Sequence, residues 1–154
     1  MYLYNKILFN FLLMNNKNKI WKINGLTKEL LNFFDFKNIN LKEGECYCEI
    51  KIKNKCLDEN GNLDDGLLIA LIDTFSSYAV MFLTKEDYKN YLSVNITMFS
   101  YEEVKTEKIS QLKMNVFLVK KEGRNILLKI QILNEKNQEI KTIYHLKRSV
   151  TPKY

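Results

Sequence analysis

Proline occurs once, histidine once and glycine five times in these 154 residues. That scarcity excludes collagen-like sequence and Gly/Ser linkers, and no Pro- or Gly-rich stretch divides the chain. Three cysteines, Cys46, Cys48 and Cys56, are too few for a disulfide scaffold. They form no CxxC pair, and no histidine lies near them. Cys46 and Cys48 stand two apart in an alternating segment, so both point to one strand face. This is the pattern of buried thiols in a reducing compartment rather than of a zinc site. The sequence also lacks a P-loop, a dinucleotide fingerprint and a cluster of metal ligands, so neither metal nor cofactor is expected. Internal repeats are absent as well.

Charge of one sign is not scarce. Lys and Arg number 24 against 18 Asp and Glu, a net +6. Only two of the cations are Arg, and Lys and Asn are abundant throughout, which reads as a compositional bias. An excess of cations favours anionic partners in general, but here it is interleaved with acids along the chain. No nucleic-acid motif accompanies it, and the aromatic residues are scattered among apolar positions, so no nucleic-acid partner is expected. The length fits one domain with a proper core, and 46% hydrophobic with 27% charged residues is the balance of a globular chain.

The first residues form an apolar patch, Ile7 to Phe9 and Phe11 to Met14, with Lys6 before it. Two readings exist, an amphipathic helix that packs on the domain and an organelle presequence. The patch has no small-residue cleavage site, which favours the helix and a cytoplasmic location; targeting through this segment is the alternative. Thr27 is a plausible cap for a second helix carrying Leu30, Leu31, Phe33 and Phe34. Residues 1–43 are therefore expected as a helical segment packed on a domain of residues 44–154.

From Gly44 the period becomes two. Cys46, Cys48, Ile50 and Ile52 alternate with polar residues, the mark of a strand with one wet face. A loop rich in Asp, Asn and Gly follows over Asn54–Asn62. Gly66–Leu83 is then a run of eighteen residues with a single charge, Asp73. Its length and its Ala, Leu and Met content predict a helix. Asp64 and Asp65 precede it, where carboxylates cap free N–H groups. Eighteen residues are marginal for spanning a bilayer, and a charge at the midpoint opposes lipid exposure, so no stable membrane span is expected. Strands follow over Tyr91–Ser100, Gln111–Lys120, Asn125–Leu133 and Ile140–Arg148, with turns at Lys120–Arg124 and Asn134–Gln138. The class is α+β. An antiparallel sheet curled around one greasy helix is the simplest way to cover it.

Along that helix Gly66, Ala70, Asp73 and Ser77 form a stripe of small or polar residues. A buried carboxylate is costly unless it is paired, so Asp73 reads either as a structural carboxylate or as a group facing a polar cleft. His145, on a strand, reads as a partly exposed residue. Lys120, Lys121, Arg124, Lys147 and Arg148 are candidate cations for a phosphate-bearing ligand, with a solvated hairpin as the ordinary explanation.

Read together, Cys48–Ile52, Gly61-Asn62-Leu63-Asp64-Asp65-Gly66, Leu71-Ile72-Asp73, Asn95–Met98 and Lys121–Arg124 resemble, in order and spacing, the thioesterase superfamily member 2 type of hotdog-fold acyl-CoA thioesterase. The resemblance covers roughly Gly44 to Arg148. It implies a hotdog fold and hydrolysis of fatty acyl-CoA to free acid and coenzyme A, with the coenzyme A thioester as substrate. A non-catalytic hotdog protein that binds acyl-CoA, or serves in assembly, is the alternative. The resemblance also implies a homodimer or a tetramer of paired dimers, with substrate between subunits. The family's catalytic acid falls on Asp73, as base on water or as nucleophile, and its oxyanion donors on the N–H groups of Asp65 and Gly66. Its loop Asn falls on Asp58. Its Ser falls on Tyr91, or on Ser93 if the gap is moved. Ser77, Lys121 and Arg124 are the further substrate-binding candidates. Where the family reads Leu-His-Gly-Gly, this chain reads Leu63-Asp64-Asp65-Gly66. Two carboxylates thus stand where a developing oxyanion would meet them.

Overall fold

The computed structural model describes residues 33–42, 45–84, 90–101 and 111–150. Helical segments expected before residue 33 lie outside them. Among the described residues, six strands and one long helix follow in chain order: β1 Asp35–Lys42, β2 Glu45–Lys51, α1 Asp65–Thr84, β3 Asn90–Ser100, β4 Gln111–Glu122, β5 Asn125–Leu133 and β6 Glu139–Val150. A short 3-10 turn, Asn54–Cys56, lies between β2 and α1. The strands form one sheet in the order β1-β2-β4-β5-β6-β3, antiparallel at every step. With α1 laid against one face, this is the hotdog architecture.

The helical expectation for residues 1–43 fails over Asp35–Lys42. That stretch is the edge strand β1, paired with β2. An irregularity between Lys37 and Asn40 breaks its register, which hides the period of two. Phe34, read as a helix residue, ends in the core beneath the sheet.

Helix α1 is apolar nearly all round, yet it buries one face. Leu68, Leu71, Ile72, Phe75, Ser76, Ala79, Val80 and Leu83 are the buried positions, a spacing of three and four that forms one stripe. The sheet meets it with Cys46, Cys48 and Ile50 of β2, Leu112, Met114 and Val116 of β4, and Ile126, Leu128, Ile130 and Ile132 of β5. Cross-strand pairing sets these on one face. Cys46 lies opposite Val116, which lies opposite Ile130, which lies opposite Ile143. Tight hairpins hold the order. Gly123, at φ +56°, turns β4 into β5, a conformation that a side chain disfavours.

The same face of β6 carries polar residues. Register places Lys147, His145 and Lys141 opposite Ile126, Leu128 and Ile132 on β5, and opposite Ser93, Ile96 and Ser100 on β3. Two lysines and the histidine therefore point under the helix, beside an edge strand that supplies two serines.

Candidate active site

The loop before α1 is built by Asp58. Its Oδ1 accepts the N–H groups of Asn60 and Asn62 at 2.9 and 2.8 Å, and Gly61 takes φ +76°. This Asx-type turn fixes how the chain enters the helix. Asp58, the position of the family's Asn, thus has its carboxylate spent on the turn.

Asp64 is the helix cap. Its Oδ1 accepts the N–H of Leu67 at 2.8 Å, and its carbonyl accepts that of Leu68. A Cβ on Gly66 would lie 3.0 Å from that capping oxygen, so glycine gives the cap its room. Among the described residues no acceptor takes the N–H groups of Asp65 and Gly66 in the first turn. The Asp65 side chain turns to Lys141, whose Nζ lies 2.9 Å from Oδ1 and 3.2 Å from Oδ2 and also donates to Ser100 Oγ. Lys141 is 4% exposed. Both carboxylates that stood to oppose an oxyanion are thus engaged, one as a cap and the other in an ion pair.

Two turns along, Asp73 is 46% exposed and pairs with Lys147, which is completely buried. Lys147 Nζ lies 2.9 Å from Asp73 Oδ1, 2.8 Å from Ser77 Oγ and 3.2 Å from Ser93 Oγ. Ser93 donates to the same Asp73 oxygen. His145, also completely buried, has Nε2 2.9 Å from Ser93 Oγ and Nδ1 2.9 Å from Ser76 Oγ. Ser77 donates to the Asp73 carbonyl at 2.8 Å.

Burial works to raise the Asp73 pKa. The hydrogen bonds from Ser93 and Lys147, with the charge beside it, outweigh burial and hold the carboxyl below its usual value. Burial, then the Lys147 charge, push His145 down to about 4 against the pull of Asp73, so the imidazole is neutral at pH 7. Burial also lowers Lys147, and its bond to Asp73 opposes that fall.

The structure brings together Asp73, Ser77 and Ser93. It chooses Ser93 over Tyr91 as the serine on the carboxylate; Tyr91 packs against the core one step along the strand face. Lys121 and Arg124 stand exposed at the β4–β5 hairpin. Lys121 lies opposite Ile126, itself opposite Lys147, two strands or roughly 10 Å from it. Lys147 and His145 correct the expectations made for them. The lysine sits beneath Asp73 and does not reach for a phosphate, and the histidine is fully buried. Their only sequence signal is that each is polar at an inward position of an alternating strand. No group of three metal-ligating side chains occurs among the described residues.

No family model and no curated protein matches this chain. Solved structures do. A hypothetical thioesterase from Streptococcus pneumoniae, solved with coenzyme A, is similar at TM-score 0.68 and 14% identity, covering 84% of this chain and 94% of that one. Zebra fish thioesterase superfamily member 2 gives 0.69 at 17% identity over 84% and 89%. A Streptococcus mutans protein bound to acetyl-CoA gives 0.65 at 12% identity over 89% and 98%. At such identities the likeness establishes the hotdog fold.

Proposed function

We propose that this chain hydrolyses the thioester of an acyl-CoA, with Asp73 as the residue that acts on water. One observation carries the reading. At the centre of a greasy helix stands a half-exposed, ionised carboxylate with Oδ1 held by Lys147 and Ser93. Among the described residues, Oδ2 has no partner. A carboxylate so held is oriented before substrate arrives, which is how a positioned base lowers a barrier. The N–H groups of Asp65 and Gly66, at the positive end of the helix dipole, are the donors for the thioester oxygen.

Gly66 and Asp73 are seven residues apart, about 10 Å along the axis. Donor and base of one chain are too distant to flank a single carbonyl closely. A second copy, joined at the sheet edge beside Ser93, would bring its helix entrance to this chain's Asp73. The reading therefore includes a homodimer with shared sites. Lys121 and Arg124 are its candidates for the phosphates of coenzyme A.

Thiol release from acyl-CoA esters of two to sixteen carbons tests this. Turnover of at least one chain length, with a clear length preference, is expected. If coenzyme A binds and no ester turns over, a non-catalytic binding protein replaces the enzyme.

A further inference from the structure

We propose that Lys147 is a positioning residue for Asp73: its buried ammonium pins Oδ1, so that Oδ2 is the oxygen presented to the reacting water. The inference deepens the hydrolase reading and rests on it. An ammonium has three N–H donors. Lys147 has Asp73 Oδ1, Ser77 Oγ and Ser93 Oγ within 3.2 Å and the Asp73 carbonyl as a longer fourth acceptor at 3.4 Å, so all three donors are engaged within this cluster. Ser93 shows the same economy. It receives Lys147, and it lies against His145 Nε2 while donating to Asp73. With its one proton on Asp73, Ser93 must accept from both neighbours. The Ser93 contact thus assigns neutral His145 the Nε2–H tautomer, and the single Ser76 proton is shared between Nδ1 and the Asp73 carbonyl 3.1 Å away. Oδ1 is then held from two sides by Lys147 and Ser93, and among the described residues Oδ2 remains open.

Stability alone does not explain a lysine at this position. Its cross-strand neighbours are buried Ile126 on β5 and Ser93 on β3, and the polar groups around its Nζ are those of the Asp73 cluster itself. An unbranched apolar side chain would pack there, and buried ion pairs are often no more stabilising than well-packed hydrophobic residues. What an apolar residue would not do is hold a carboxylate ionised and oriented. The charged and titratable groups facing Asp73 among the described residues are Lys147 and His145, both from β6. Strand β3 contributes only the Ser93 hydroxyl.

Lys147→Met tests the role, with folding checked by circular dichroism. Two readouts are needed, titration of the Asp73 carboxyl carbon by NMR and the pH profile of kcat and KM. In the variant Asp73 should titrate at higher pH, and the acid limb of kcat should move up with it. A misplaced base lowers kcat at neutral pH by up to about 10²-fold, while KM should hold. A folded Lys147→Met whose Asp73 titration and acid limb match the parent overturns the proposal. If Lys147→Met fails to fold, Ser93→Ala, on the exposed edge strand, decides the matter. It removes one donor to Oδ1 and one acceptor that fixes Lys147, and should shift Asp73 in the same direction; no shift overturns the proposal. The NMR readout needs no turnover, so an inactive parent enzyme would sink the hydrolase reading and leave this inference separately decided.

Discussion

His145 is a base whose proton is unwelcome where it sits. Its folded pKa, about 4, lies below the ordinary 6.5. Between those values the unfolded chain takes up a proton that the folded chain refuses. Stability is therefore complete above pH 6.5 and is lost as pH falls toward 4, by at most roughly 3 kcal/mol. Urea titrations at pH 7 and pH 4.5 should show that loss, and His145→Leu should reduce it; an unchanged pH dependence in the variant would contradict the assignment. At this scale the sequence disclosed part of the site. Asp73 stood out as the lone charge in an apolar run, and Asp64 as a helix cap. Lys147 and His145 did not. Their partners on α1, Asp73 and Ser76, lie 74 and 69 residues away along the chain, and only the packing of the helix over β6 brings them together. A polar residue on a strand says nothing of such pairing by itself.

Helix α1 is the element on which everything else is hung. Its buried stripe predicts that Ile72→Ala, at a fully buried position, costs about 2–5 kcal/mol by chemical denaturation. Asp64→Ala removes the cap and should cost about 1 kcal/mol, whereas Asp58→Ala would loosen the loop before it. The double change Asp64→His with Asp65→Gly removes the cap and also strips buried Lys141 of its ion pair. It should lower stability, and any gain in rate should be small because Lys141 already offsets the Asp65 charge. A large gain would show that the offset fails. Helix and strand patterns from Cys46 to Arg148 were legible because one face of each element is buried, which writes a period into the sequence. Strand β1 was not legible, because its irregular register interrupts that period.

On the scale of the whole molecule, the sheet of the described residues ends at the edge strand β3, with Leu92 and Val94 more than half exposed beside Ser93. Open edges invite pairing. Light scattering at micromolar concentration should give a dimer, and Leu92→Lys with Val94→Lys should yield monomer and abolish turnover together. A strict parent monomer would contradict the shared site. Above all of this stands the claim that Asp73 performs hydrolysis. Asp73→Asn keeps an acceptor for Lys147 and Ser93 but cannot take a proton from water. Removing one partner of a buried pair costs up to about 3–5 kcal/mol, less here because Asp73 is half exposed and solvent screens it, so rates must be compared on protein shown to be folded. The decisive measurement is kcat for the best acyl-CoA in the parent and in Asp73→Asn. A loss of about 10²–10⁴-fold is predicted; an unchanged rate would contradict the account.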